Sequence, residues 1–378
     1  MNKSPQPKPA NRTIAVLVRA MEGGGAQRDA ILLAGALAGR HWRVKILSLH
    51  PEGPLRALVA PGIEIVPVAA HSLKAAIPAF RRFFMTLAAS DVVLSSEAAQ
   101  NAVAFLAHAS LPRSRRPKLL LREVASPSLA KASDPYVQNR IAYRFLGAAY
   151  ARCDRAITLT EGARADLAAN FGVPLGNIEV MGANAVLDRA SEQRLRGADL
   201  QSGREPGLIV CVGRLSAEKD QVTLVEAFAR LPDRSGARLV LVGEGPLRGA
   251  IEETVRRLGL GGRVALAGFD PDPFAWLLRA ELAVCSSRFE GFGNAIVEAL
   301  ACGTPVVSTD CPFGPREILE AGRFGRLVPP GDAAALAAAI LATLGAPVER
   351  GALRRHALKY TGEAAALELE RIISGLAG

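Results

Sequence analysis

Short apolar runs alternate along this chain with longer stretches of helical periodicity. In the first half the runs are TIAVLVRA (13–20), RVKILSL (43–49), IEIVPV (63–68), DVVLSS (91–96), KLLLREV (118–124) and RAITLT (155–160). The second half repeats the rhythm with GLIVCVG (207–213), RLVLVG (238–243), RVALAGF (263–269), ELAVCSS (281–287) and TPVVST (304–309). The runs are nearly continuous in apolar residues rather than alternating, as strands covered on both faces are. Helical stretches between most of them predict crossover helices, and so an α/β fold with parallel sheets. The periodicity lapses at DRASEQRLRGADLQSGREP (188–206), which reads as an inter-domain stretch. A chain of 378 residues is long enough for two domains, each burying its own core. The reading is a leader over 1–12, a domain over 13–190, a linker over 191–206 and a second domain over 207–360.

In open parallel sheets, ligands bind where loops leave the carboxyl ends of the strands. The most informative of those loops opens FEGFGNAIVEALACGTPVV (289–307). Its glutamates Glu290 and Glu298 straddle a strand-to-helix turn, and the helix is predicted from about Asn294 to Cys302. The amides of Phe292, Gly293 and Asn294 are the donors that a helix start leaves open, and Glu298 lies on the same face one turn deeper. Such a place suits a polyhydroxylated ligand, with amides donating to its oxygens and carboxylates accepting from its hydroxyls. The plainer alternative is that Glu290 caps the helix and Glu298 faces solvent.

Two further loops leave strands at the same kind of edge. Met-Glu-Gly-Gly-Gly-Ala-Gln-Arg (21–28) presents the amides of Gly23, Gly24 and Gly25 before an amphipathic helix, an anion-cradling arrangement. It lacks the third glycine of the dinucleotide fingerprint and the Lys-Ser/Thr of a P-loop. Gly-Arg-Leu-Ser-Ala-Glu-Lys-Asp (213–220) brings Arg214, a planar fork, and Lys219, a point charge, so that two side-chain cations could hold a diphosphate without metal. The glycines of 243–248 and the Asp270-Pro-Asp272 pair read as turns.

Composition removes other classes. The five cysteines form no CxxC pair, which fits reduced thiols and argues against zinc. The polar, Pro-rich start has no apolar core of a secretion signal and reads as disordered, and AAALAAAILATLGA (333–346) is too short for a membrane span. Residues 1–190 carry 24 Lys and Arg against 13 Asp and Glu, whereas 191–378 carry 22 against 23, so only the first half is built to meet an anion. Within it, PAFRRFFMTL (78–87) offers Phe80, Phe83, Phe84 and Leu87 as an apolar stripe beside Arg81 and Arg82, and PRSRRPK (112–118) adds further charge. Both features predict docking on an anionic membrane; a core helix and a solvated loop are the competing reading.

Glu290 and Glu298 at their spacing, GRLSAEKD, the GGGAQR loop and CPFGPREIL (311–319) together resemble the retaining glycosyltransferases of the GT-B fold, family GT4. The resemblance runs from about Thr13 to the C-terminus and rests on four motifs in order. It implies two Rossmann-like domains facing across a cleft, an acceptor domain first and a donor domain second, with a helix in 361–378 returning to the first. By the same resemblance Arg214 and Lys219 bind the donor diphosphate, the Gly23 to Gly25 loop closes over it, and Glu298 holds the ribose. Glu290, with the amides of Phe292, Gly293 and Asn294, holds the donor sugar; Glu290, Arg214 and Lys219 are the catalytic set. The CPFGPREIL version resembles the branch that builds capsule, exopolysaccharide or lipid-linked oligosaccharide from UDP-hexoses or UDP-N-acetylhexosamines. The implied protein is cytoplasmic, peripheral on the inner membrane face, without cofactor or metal and without a nucleic-acid partner. The resemblance also admits a nucleotide-sugar epimerase of the same fold or a non-catalytic nucleotide-sugar-binding subunit. One departure stands out: where many relatives carry a histidine, this chain reads Leu-Arg122-Glu123-Val-Ala-Ser126, and no role passes to His41, His50, His71 or His108.

Overall fold

The computed structural model describes residues 12–133, 137–200, 202–232 and 236–376. The leader expected over 1–12 lies, Arg12 excepted, outside the described residues. The chain divides into two compact units, Met1–Asp188 with Thr361–Gly378, and Arg189–Tyr360.

The first unit carries a seven-stranded sheet of β1 (Thr13–Leu17), β2 (Arg43–Ser48), β3 (Glu64–Pro67), β4 (Val92–Ser96), β5 (Lys118–Glu123), β6 (Arg155–Thr158) and β7 (Ile178–Val180). Its spatial order is β3-β2-β1-β4-β5-β6-β7, every pairing parallel, with Ile14 beside both Val44 and Val92. β1 is buried along its whole length, as its unbroken apolar text requires. The second unit repeats the plan with β8 (Glu205–Val212), β9 (Arg238–Val242), β10 (Val264–Gly268), β11 (Ala280–Cys285), β12 (Val306–Thr309) and β13 (Arg326–Val328), ordered β10-β9-β8-β11-β12-β13. The strand order reverses between β1 and β4 and again between β8 and β11. Loops leaving those strands diverge to opposite faces and open a crevice at each reversal.

Two expectations are corrected. The stretch expected as a linker over 191–206 holds the helix Arg189–Gly197 and the start of β8. Its polar text is fixed by specific contacts: Leu195 is buried, Arg194 pairs through both terminal nitrogens with Asp272 at 2.8 Å, and Arg204 donates to the carbonyls of Leu277, Ala280 and Cys302. The apolar stripe of 78–87 is not a surface. Phe80 and Phe84 are fully buried and stacked at 5.9 Å, while Phe83 and Leu87 pack against the same core. Burial of each such ring is worth about 2–3 kcal/mol, so the helix Ile77–Phe84 turns its phenylalanines inward and leaves Arg81 and Arg82 exposed. The helices that follow the 213–220 and 243–248 loops begin at Gln221 and Arg248.

The final helix, Gly362–Ser374, belongs to the first unit. The Gly362 amide donates to Leu187, and Arg40 and Trp42 both donate to Glu370. Among the described residues, no helix is long and apolar enough to cross a membrane. All five cysteines are unpaired.

The first core also contains charge. Arg122 on β5 is fully buried and donates to Asp29 and Asn184, and Asp29 accepts the Ala185 amide at 2.8 Å. Removing one partner of such a pair leaves a buried charge uncompensated, at a cost of about 3–5 kcal/mol. Beside it, Glu123 accepts the Tyr143 hydroxyl at 3.0 Å, the Tyr150 hydroxyl at 2.7 Å and the Ala125 amide at 2.9 Å. Burial pushes the Glu123 carboxyl up to about 7 despite those donors. The folded chain therefore holds a proton there more tightly than the unfolded chain. The resulting stability is fully present below about pH 4.5 and is lost as the pH rises to about 7. Glu123→Gln removes this titration. Urea unfolding of variant and wild type across pH should show the variant gaining relative stability from about pH 4.5 to 7 and levelling above. A difference that does not change with pH would contradict the assignment.

Candidate functional site

At the reversal of the second sheet, the loops after β8 and β11 are stitched together. Ser286 Oγ donates to the Lys219 carbonyl at 2.8 Å, and the Arg288 amide to the Glu218 carbonyl at 2.8 Å. Arg288 also pairs with Asp220 at 2.9 Å, whose carboxylate accepts the Thr223 hydroxyl. The first loop is braced by Gln221 Nε2, which donates to the Arg214 carbonyl at 2.8 Å. Within this frame Lys219 Nζ donates to both Glu290 oxygens, at 2.6 and 2.7 Å, and Ser287 Oγ donates to Glu290 Oε1 at 2.6 Å. Burial alone would pull the Lys219 ammonium down, but the Glu290 carboxylate beside it leaves it raised. An ammonium has three N–H donors, so one remains for a third partner.

Arg214 is an exposed side chain of the same loop as Lys219. The helix expected from Asn294 spans Asn294–Ala301, and no side chain caps its start. Glu298 is only 7% exposed, so it is not the solvated helix residue of the plainer alternative. Phe292 turns its ring inward, edge-on to Tyr360 with centroids 5.5 Å apart. The CPFGPREIL segment supports this turn from below: a Cβ on Gly314 would stand 1.6 Å from the Phe292 carbonyl oxygen, so only glycine fits. Close approach also explains Gly243, where a Cβ would meet the Gly213 oxygen at 2.0 Å; this glycine lets two loops cross. Asp270 accepts the Asp272 amide and the Trp276 indole, each at 2.8 Å, while Asp272 is held by Arg194; the pair forms a braced turn. Burial pushes the Cys211 and Cys311 thiols, which sense the Lys219–Glu290 pair, up to about 12, so neither is a thiolate nucleophile.

The glycine loop lies in the first unit, at its own strand reversal. Gly23 and Gly24 are exposed with φ of 151° and 115°, and Gly25 opens the helix Gly25–Ala38. Facing it after β4 is Glu97, held at φ 76° and accepting a hydrogen bond from Gln27. Gln100 braces the same corner by donating to the Leu17 and Ser96 carbonyls. Glu97 and Gln27 escaped the sequence reading; the one available signal was a carboxylate immediately after a buried strand. Arg122 and Glu123, to which the sequence reading gave no role, are buried and engaged within the fold.

A family profile described as "Glycosyl transferases group 1" matches residues 206–345, and a "Glycosyl transferase 4-like domain" matches residues 24–183. The chain belongs to the group 1 glycosyltransferases of family GT4. The chain is 31% identical over 212 residues to the N-acetylgalactosamine-N,N'-diacetylbacillosaminyl-diphospho-undecaprenol 4-alpha-N-acetylgalactosaminyltransferase of Campylobacter jejuni, a match covering 56% of each chain. Over 143 residues it is 38% identical to the lipopolysaccharide core biosynthesis glycosyltransferase LpsE of Rhizobium meliloti, covering 38% of this chain and 41% of that one. The chain thus spans about half the length, or less, of these curated relatives. Anabaena HepE, solved in complex with UDP and glucose, superposes with a TM-score of 0.78 at 18% identity, covering 97% of this chain and 100% of that one. The chain therefore has the two-domain GT-B fold.

A non-glycine residue at positive φ costs about 1–3 kcal/mol and persists where the surroundings require it. Glu97→Gly should therefore unfold at a higher urea midpoint than Glu97→Ala, by an amount equivalent to about 1 kcal/mol, because both lose the bond to Gln27 and only alanine keeps the strain. Equal midpoints for the two variants would show that this position is not strained.

Proposed function

We propose that the protein transfers a hexose or N-acetylhexosamine from a UDP-sugar to a glycan or lipid-linked saccharide, with retention at the anomeric carbon and without a divalent metal. The observation that carries this reading is the Lys219–Glu290 pair at the β8/β11 strand reversal, with Arg214 on the same loop. In the proposal Arg214 and the third N–H of Lys219 receive the donor diphosphate. Glu290, with the amides of Phe292, Gly293 and Asn294, addresses the sugar, and Glu298 on the helix behind addresses the ribose. UDP is favoured because HepE, which shares the fold, was solved with it, and a lipid-linked acceptor because the Campylobacter relative is named for one. Such an acceptor would be met at the cytoplasmic face of a membrane. Metal independence is supported by the two cations on one loop and by the prior engagement of Asp270 and Asp272 with Trp276 and Arg194.

The chemistry proposed is front-side displacement. The leaving diphosphate accepts the proton of the acceptor hydroxyl while its developing charge is stabilised by Arg214 and Lys219. Glu290 orients the sugar and keeps Lys219 cationic. Electrostatic groups of this kind are worth on the order of 100-fold to 1,000-fold in turnover each.

Two measurements test the reading. Arg214→Ala should cut turnover by roughly 100-fold or more and weaken UDP binding, and Arg214→Lys should restore only part of it, because the planar fork is lost. Wild-type kinetics in Arg214→Ala would remove Arg214 from the site. Separately, calorimetry with UDP should show Glu298→Gln weakening nucleotide affinity, whereas Glu290→Gln should lower turnover more than affinity. The opposite order would exchange the two roles.

A further inference from the structure

The correction of the 78–87 stripe leaves the positive first unit without its expected apolar anchor, and another helix supplies one. Val137–Tyr150 turns Ala142, Tyr143, Leu146, Ala149 and Tyr150 into the core. Its orientation is locked, because the Tyr143 and Tyr150 hydroxyls both donate to Glu123 and Asn101 donates to Tyr150. The opposite face is therefore fixed outward. On it stand Val137, Ile141 and Phe145, exposed by 54%, 47% and 69%. They recur every four residues and form one stripe. Phe145 is the most exposed large apolar side chain among the described residues.

Exposed apolar residues scattered singly need no explanation, but a stripe of three on one locked helix face does. Its charge says what it fits. VQNRIAYRFLGAAY contains no acidic residue, and the exposed Arg140 and Arg144 run along one border of the stripe at the same four-residue spacing. An apolar stripe bordered by arginines matches the boundary of an anionic bilayer, where rings enter the acyl edge and guanidinium groups rise to the phosphates. A symmetric contact with a second copy would bring the arginines of the two helices together, and a nucleic acid would leave the stripe uncovered. The excess of basic residues over 1–190 extends the attraction beyond this helix.

We propose that the outward face of Val137–Tyr150 is a docking surface for anionic phospholipid membranes. The inference deepens the membrane-facing part of the proposed function and rests on that reading for its purpose. It is measured without turnover, so failure of one leaves the other standing.

The test is flotation of the full chain with phosphatidylglycerol-containing vesicles and with pure phosphatidylcholine vesicles, at low and high salt. Wild type should float with phosphatidylglycerol at low salt and be released as salt rises. Ile141→Ser with Phe145→Ser should lower partitioning roughly tenfold or more. Arg140→Gln with Arg144→Gln should lower it by roughly fivefold per residue, whereas Arg81→Gln with Arg82→Gln on the helix Ile77–Phe84, away from the stripe, should lower it by less than about twofold in all. As a probe that preserves the apolar face, Phe145→Trp should add a blue-shifted emission, quenched by brominated lipid, to the wild-type signal when phosphatidylglycerol vesicles are added. Any of three results overturns the proposal. These are a wild type that stays soluble at low salt, a Phe145→Trp signal that vesicles do not change, or a dimer in sedimentation that Phe145→Ser dissolves.

Discussion

The second unit depends on one charge pair between loops that sequence separates by seventy residues. Lys219 and Glu290 meet because β8 and β11 are neighbours at the point where strand order reverses, and parallel pairing sets their loops at the same edge. A half-buried ammonium would lose its proton more readily without a carboxylate beside it, and a carboxylate so placed would be costly without an ammonium. Each charge thus makes the other tenable. Around them Ser286, Ser287, Arg288 and Gln221 hold the backbone so that the pair forms without searching. In the proposed function this rigidity matters, because groups already in place need not reorganise as charge develops.

The two units solve the same problem with different materials. In the second, polar side chains tie loop to loop; in the first, a strained backbone at Glu97 and a buried Arg122–Asp29–Asn184 cluster hold the strand ends and the helix after the glycine loop. That cluster joins β5, the helix Gly25–Ala38 and the segment after β7, three elements distant in sequence. Glu123, next to Arg122, in turn fixes the helix Val137–Tyr150 through two tyrosines. Buried polar groups therefore set the direction of an outward face, a link from core chemistry to surface chemistry that contact area alone would not create.

Much of this was legible in the text of the chain. Strands buried on both faces are written as continuous apolar runs, and eleven were read; β7 and β13 were not, because three-residue edge strands such as Ile178–Val180 and Arg326–Val328 carry too little pattern. Glu290, Lys219 and the helix start at Asn294 could be placed because loop position follows from strand position. The helix Arg189–Gly197 was missed since it buries one leucine, Leu195, among polar residues and shows no usable periodicity. The Phe80 stripe failed for a different reason: amphipathicity tells that a helix has an apolar face but not whether core or partner covers it. Glu97 offers only a carboxylate after a buried strand, and its strain leaves no mark in the sequence because the corner it closes imposes it. The outward face of Val137–Tyr150 was hidden for the same tertiary reason, since only the anchoring of Tyr143 and Tyr150 decides which side looks out.

In the proposed function, side-chain cations arranged around the Lys219–Glu290 pair do the charge stabilisation that a metal supplies in some other sugar-transferring sites. The most direct measurement is nucleotide release from UDP-hexose and UDP-N-acetylhexosamine donors, with a saccharide acceptor and excess EDTA. Undiminished turnover in the chelator is the predicted result. Turnover abolished by EDTA and restored by Mn²⁺ or Mg²⁺ would contradict the claim and return Asp270 and Asp272 to the site.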